Sequence, residues 1–528
     1  MGDSRLMVEE EARLWEKFCG FLDLSLEEFQ AIQDQLLEEE LELLAGSPLG
    51  QALFKGRPPR DVREFRERFP LTSYDDYLPY LKDRDGNRLP YEKPRCWAYT
   101  STAGGAGKWV PYTERAYNRL VDDIMAALIL ASARRKGEVN VREGDRGIYN
   151  VAPPPFLSGL ISSAMVEKFG FIALPPLEEA DRMEFTQKIE AGFQMALKEG
   201  VDILCSLSSV LVKMGERLER RNGRGQHSPP LHPMVLFRLG RAYLRSRLEK
   251  RGILPRDLWQ VKALIAWGLD TSLYREKIAY YWGREPYEFH ACTEAGILAL
   301  QSWNKKGLTP IPYSAYFEFI TEEDWARSKQ DPSYVPSTLL LGEVEPGRRY
   351  ELVISNFYGM PFLRYRGGHL VRVLAREDPE TGVALPQLAF VGRTDTVDLA
   401  GFTRLDEKTI WQAIVQTSLP YEEWVAVKEF PSSSPLLHLY IEGHGDESQW
   451  QQEVHQNLKA LDPAYRDLEG MLGLQPLRVS LLPPGTFASY YQEKQRQGVN
   501  LMEARLPHIN PSPQAMTELL SQRNLARV

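Results

Sequence analysis

Apolar side chains recur at helical spacing early in the chain: Phe29, Ile32, Leu36, Leu37, Leu43 and Leu44 share one face. Ser25, with Glu28 three positions on, forms a capping box ahead of this stripe, and Gly46 and Pro48 close it. The stripe predicts a helical hairpin over residues 1–50 that lays its apolar face on a larger body. Near residue 145 the texture changes, and short apolar runs alternate with longer amphipathic ones. Residues 148–152 predict a strand, and Pro153-Pro154-Pro155 lead into a helix ending near Gly170. Residues 171–174 predict a second strand, 181–199 a helix stopped by Gly200, and 201–205 a third strand. Residues 261–267 and 288–291 continue the series. Strands alternating with helices predict a largely parallel sheet covered on both faces, with ligands at the carboxyl ends of its strands.

After residue 390 the pattern changes again. Residues 406–416 form an amphipathic helical run, and 424–430 and 436–442 read as strands around a Pro-Ser turn. Trp450, Val454, Leu458 and Leu461 line one helix face, and 477–482 gives another strand. The expected architecture is a large α/β N-terminal domain over 1–390, a hinge at 391–395, and a small, mobile α+β C-terminal domain over 396–528. A length of 528 residues exceeds what one hydrophobic core usually serves, which agrees with two domains.

Composition narrows the function classes. Hydrophobic residues at 43% and charged residues at 26% are ordinary for a globular enzyme, and a net charge of -8 gives no general attraction to nucleic acid. Cys19, Cys96, Cys205 and Cys292 have neither zinc-knuckle nor redox-pair spacing, so a reduced, cytoplasmic setting is expected. The longest nearly pure apolar run, 124–133, falls well short of the roughly 20 residues that span a bilayer and reads as a buried helix. Met1-Gly2-Asp3-Ser4-Arg5 leads into acidic residues rather than an apolar signal core. No membrane partner is expected. Residues 220–233, rich in Arg, Gly and Pro, read as a loop whose basic charge is solvated.

Five segments could carry chemistry. Thr100-Ser101-Thr102-Ala103-Gly104-Gly105-Ala106-Gly107-Lys108 combines glycines that admit phosphates to the backbone, hydroxyl donors and a cation. It is not a Walker loop, because Trp109 follows the lysine and Trp109-Val110-Pro111-Tyr112 reads as a strand. His290-Ala291-Cys292-Thr293-Glu294-Ala295-Gly296 places a carboxylate at a strand end, where it could hold Mg²⁺. Cys292 reads as buried and inert, since no dedicated histidine base accompanies it. Phe362-Leu363-Arg364-Tyr365-Arg366-Gly367-Gly368-His369 follows, then Gly392-Arg393-Thr394-Asp395, and finally Pro484-Gly485-Thr486-Phe487 with Arg505 beyond. Any one of these alone could be a turn.

In that order and spacing, the five resemble the motifs of the adenylate-forming superfamily. Phe69-Pro70-Leu71-Thr72 with Tyr74 and Tyr77, the stretch Tyr316-Phe317-Glu318-Phe319-Ile320, and Gly485-Thr486-Phe487 make the chain most similar to the acyl-acid amido synthetases. Those are the plant auxin- and jasmonate-conjugating enzymes and their bacterial relatives. The resemblance implies ATP and Mg²⁺, a small carboxylic acid activated as its adenylate, and transfer to an amine such as an amino acid. An acyl-CoA ligase of the phenylacetate type and a non-catalytic nucleotide- or acid-binding member are the alternatives.

Residue by residue, the resemblance implies phosphate binding by Thr100, Ser101, Thr102, Gly104, Gly105 and Lys108. It implies nucleotide and metal contacts from Thr293 and Glu294, and nucleotide contacts from Tyr365, Arg366, His369 and Arg393. Asp395 falls at the hinge, and Arg505 at the place of a late catalytic lysine. The sequence departs from the pattern at Thr102, Gly104, His290, His369 and Arg505. His369 stands where a ribose-gripping aspartate is usual, and an imidazole offers a hydroxyl fewer acceptors than a carboxylate does.

Overall fold

Helices Gly2–Cys19 and Leu26–Ala45 open the chain in the computed structural model. The structure describes residues 2–86, 89, 93–100, 107–183, 185–221, 232–267, 271–331, 333–393, 396–399, 403–431, 435–472, 476–497, 506–511 and 513–522. The capping box is present: Glu28 N–H donates to Ser25 Oγ at 3.2 Å, and Ser25 N–H donates to the Glu28 carboxylate at 2.8 Å. Of the stripe, Phe29, Leu37 and Leu44 are buried and Ile32, Leu36 and Leu43 half-buried, while Leu41, Gln33 and Glu40 complete the buried face. Gln33 donates to the carbonyl of Ala315 and accepts from Phe317 N–H, pinning the helix to a sheet edge.

Glu40 accepts from Gly359 N–H at 2.6 Å. Burial raises its pKa from 4.5 to about 8, against the pull of that donor and of Arg115. The folded protein thus holds this proton more tightly than the unfolded chain does, and stability falls as pH rises from 4.5 towards 8. Glu40→Gln is expected to remove most of that fall, seen as nearly equal urea midpoints at about pH 5 and about pH 8. An unchanged slope would mean another group causes it.

Strands β1 (Cys96–Thr100) and β2 (Lys108–Tyr112) pair as an antiparallel hairpin. Helix Glu114–Ser132 follows and buries every residue from Asp123 to Ser132, which covers most of the long apolar run. Next come β3 (Arg146–Ile148), β4 (Ile172–Leu174), β5 (Ile203–Leu207) and β6 (Ala263–Trp267). They make the expected parallel sheet in the order β4-β3-β5-β6, with helices Leu157–Phe169 and Phe185–Glu199 between strands. The first strand lies a little earlier than the apolar run 148–152 suggests.

The series does not continue past β6. Strand β7 (Phe289–Cys292) joins β8 (Gly296–Gln301), β9 (Leu308–Pro310), β10 (Tyr316–Thr321), β11 (Arg349–Ser355), β12 (Tyr365–Ala375) and β13 (Gln387–Arg393). This second sheet, ordered β10-β11-β12-β13-β9-β8-β7, is antiparallel at every pairing. The two sheets are linked just before β7, where Tyr287 N–H donates to Leu264 and Tyr287 accepts from Ala266 N–H. Runs of buried apolar residues look alike in parallel and antiparallel strands when both faces are covered, so periodicity did not give the orientation.

Beyond lie the hairpin of β14 (Thr396–Leu399) and β15 (Thr403–Asp406) and helix Glu407–Val415. The sheet of β16 (Tyr421–Glu429), β17 (Leu436–Gly443) and β18 (Leu477–Leu482) follows, with helix Glu447–Leu461 against it. Trp424, Trp450, Val454, Leu458 and Val479 share a core there.

Candidate active site

The β1–β2 register pairs Thr100 with Lys108, so the Gly-rich segment is the connection of a hairpin. Ser101, Thr102, Gly104 and Gly105 lie outside the described residues, as do Asp395 and Arg505. A side chain at Gly107 would have to displace the Tyr99 ring, which a Cβ there would approach to within 2.0 Å. Lys108 follows at once, and strand geometry sends its side chain across to two other motifs.

Those motifs converge on it. Lys108 Nζ donates to Tyr365 Oη at 3.1 Å, and Tyr365 Oη donates to Glu294 Oε1 at 3.1 Å. The ammonium lies 3.7 Å from the same carboxylate oxygen, with the Tyr74 ring beneath it at 5.3 Å. The Glu294 side chain is 5% exposed and that of Lys108 22%, so the lysine stands at the mouth and the carboxylate at the base. Burial, then the neighbouring Glu294, push the Tyr365 phenol well above its ordinary range. It therefore stays protonated and donates. Glu294 sits in the β7–β8 hairpin turn rather than at the end of a parallel strand. Gly296 closes that turn at φ 73°.

Neighbouring side chains fix the turn. Tyr112 donates to the carbonyl of Thr293 at 2.8 Å, and Asn356 Nδ2 to that of Glu294 at 3.0 Å. Asn356 also accepts from Phe362 N–H, which ties the turn to the Tyr365 segment. Cys292 is buried, and burial raises its thiol pKa, which keeps it protonated and agrees with an inert role.

Arg364 and Arg366 flank Tyr365 and serve different ends. Arg364 is buried with φ 44°, and its guanidinium bonds the Glu318 carboxylate and the carbonyls of Arg66 and Phe69. Thr72, in the Phe69-Pro70-Leu71-Thr72 segment, adds a strand-like pairing: Thr72 N–H donates to Arg364 and Arg366 N–H donates to Thr72. Tyr77 accepts from Leu363 N–H at 2.8 Å. Arg366 forms a bidentate pair with buried Glu351 at 2.6–3.1 Å and donates to Ser328.

Farther along β12, His369 is buried, with Nδ1 2.9 Å from His290 Nε2 and Phe390 packed against both rings. Burial, reinforced by Arg404 and Arg393, holds both imidazoles well below their ordinary range, His290 at about 3. One neutral ring must therefore donate and the other accept. His369 Nε2 is buried without a hydrogen-bond partner and borders a small cavity shared with Glu294, Cys292 and Tyr365. Arg393 pairs with His369 across β12–β13 and donates to Gly367 O at 2.8 Å.

The late motif is a helix anchor. Gly485, at φ 83°, and Phe487 both donate backbone N–H to the buried Glu442 carboxylate at the start of helix Thr486–Arg496.

Among the described residues no cluster of three or more His, Cys, Asp or Glu could cage a metal. A single carboxylate beside a lysine suits a cation shared with substrate phosphates, the mode in which Mg²⁺ is usually held.

Two solved structures share this architecture. One is an acyl acid amido synthetase in complex with 2,4-DB, at 18% identity, 93% coverage of each chain and TM-score 0.52. The other is 2-hydroxyisobutyryl-CoA ligase with its acyl-AMP and CoA, at 16% identity, coverage of 90% of this chain and 93% of that one, and TM-score 0.57. The fold is that of the adenylate-forming enzymes. Residues 19–146 match the GH3 family N-terminal domain and 308–393 the GH3 family central domain. These two stretches, less than half of the chain together, are similar to GH3 family domains, and the second encloses Tyr365, His369 and Arg393. A jasmonoyl–L-amino acid synthetase of Oryza sativa subsp. japonica is 28% identical over 304 residues, 51% of this chain and 49% of its own. An indole-3-acetic acid-amido synthetase of Arabidopsis thaliana is 24% identical over 94% of this chain and 93% of its own. The rice match thus spans about half of that enzyme's length.

Proposed function

We propose that the protein activates a small carboxylic acid with ATP as an acyl-adenylate and passes the acyl group to an amine, an amino acid by preference, forming an amide. The observation that carries this reading is the meeting of Lys108, Tyr365 and Glu294, from three segments more than 250 residues apart at their ends. The names of the relatives support the choice of an amine over a thiol.

In this reading Thr100, Ser101, Thr102, Gly104 and Gly105 cradle the phosphates, and Lys108 offsets charge on the departing pyrophosphate as the acid attacks the α-phosphorus. Glu294 would hold Mg²⁺ together with phosphate oxygens, the ion supplying further charge compensation. Tyr365 keeps the carboxylate and the ammonium apart and oriented. Thr293, His369 and Arg393 face the nucleoside, with His369 offering Nε2 to a ribose hydroxyl. Arg366, expected to contact the nucleotide, is held by Glu351 and Ser328 and would instead support β12.

The hinge is placed at 391–395, with Asp395 in it, between a large part over 1–390 and a small part over 396–528 that brings Arg505 to the site. Its closure would shield the adenylate from water between steps. No helix among the described residues is long and apolar enough to cross a membrane. The four free cysteines support a cytoplasmic setting.

Aryl, indolyl and fatty acids are the panel to screen, first for ATP–pyrophosphate exchange and then with amino acids or coenzyme A as acceptor. An acid that supports exchange and yields an amide is the expected result. A thioester would assign the acyl-CoA ligase reading, and ATP binding without exchange under any acid would assign a sensor.

A further inference from the structure

Helix Pro233–Leu248 turns the wrong side chains outward for an ordinary surface helix. It lies against the protein through Val235, Ala242 and Ser246, all buried. On the opposite side, helical spacing lines up Phe237, Gly240, Leu244 and Leu248. Phe237 and Leu244 are each 63% exposed and Leu248 is 76% exposed, where a solvated helix normally carries charge. A Cβ added to Gly240 would meet nothing within 4 Å, so this line faces open space. Arg241 and Arg245 border it on one side and Arg247 on the other, all exposed. Residues 216–257 hold eleven Lys and Arg against four Asp and Glu, in a chain of net charge -8.

We propose that this helix docks the protein on an anionic lipid surface, with Phe237, Leu244 and Leu248 entering the interface and the flanking arginines meeting headgroup phosphates. Charge decides among the occupants. In a two-fold pairing of copies through this face, each arginine flank would meet arginines of its own kind. An acidic protein would satisfy the arginines but not the central line of Phe and Leu. An anionic bilayer matches both, and it repels the acidic remainder of the chain, which also sets the orientation.

Flotation of the full chain with vesicles tests this. Binding is expected to vesicles of phosphatidylcholine with phosphatidylserine, to weaken with added salt, and to be slight on phosphatidylcholine alone. The F237S/L244S/L248S variant should lose affinity by about a thousandfold, since each apolar anchor contributes roughly a factor of ten. The R245Q/R247Q variant should lose about fivefold per arginine on the anionic vesicles only. All the changed side chains are exposed, and the pairs that Arg245 makes with Glu249 and Asp257 contribute little, so melting curves should stay close to the parent's. Should the triple variant misfold, Leu248→Ser, in the last turn, carries the test with a loss of about tenfold. Absence of binding by the parent, or equal binding by the folded triple variant, overturns the proposal. So does dimerisation abolished by the triple variant without vesicle binding, which would assign the face to a second copy. Retention on polyglutamate without vesicle binding would assign it to an acidic protein and overturn the proposal equally.

Discussion

Glu294→Gln is expected to lower acid-dependent ATP–pyrophosphate exchange by about a hundredfold to a thousandfold, the usual cost of removing one preorganised electrostatic contact from such a site. The amide keeps the shape of the carboxylate and can still accept from Tyr365, so the local packing survives. What it loses is the negative charge that faces Lys108 at 3.7 Å and that would hold Mg²⁺. The urea midpoint should therefore stay close to the parent's while exchange collapses. Exchange that survives within about threefold would remove Glu294 from the chemistry and leave it a structural acid.

Arg364→Met is expected to destabilise the protein by about 3–5 kcal/mol, the range for removing one partner of a buried ion pair. The Arg364 side chain is 8% exposed and that of Glu318 1%. Methionine would leave the carboxylate with Arg66, at 3.3 Å, as its one cation beside the Thr338 hydroxyl, and would orphan the buried carbonyl of Phe69. The loss is larger than an exposed pair would give, because the same guanidinium joins the N-terminal segment to the strand that carries Tyr365. Chemical denaturation reads it directly. A change below about 1 kcal/mol would show that Arg66 replaces it.

The residues that meet at the site were legible in the sequence because chemistry marks them. Lys108 ends a Gly-rich run, Glu294 follows a strand, and Tyr365 opens a Tyr-Arg-x-Gly. Their contact was not legible, since nothing in the spacing tells that a hairpin, a turn and a strand start share one point. The supports were invisible for a related reason. Tyr112, Asn356, Arg364, Gln33 and Glu40 act through partners far away in sequence, and a single polar residue leaves no periodic trace. Helix Leu26–Ala45, by contrast, was legible down to its capping box, because caps and stripes are local. The orientation of β7 was misread where a buried run gives no sign of its neighbours.

Acyl-adenylate formation is the central claim, and the fate of the acid's oxygen tests it most directly. With a heavy-oxygen label in the carboxylate of an acid that supports exchange, one turnover in the presence of an amino acid should leave label in the phosphate of AMP. The remaining label should sit in the amide product. Label in inorganic phosphate, with ADP as the nucleotide product, would mean activation through an acyl phosphate and would contradict the account.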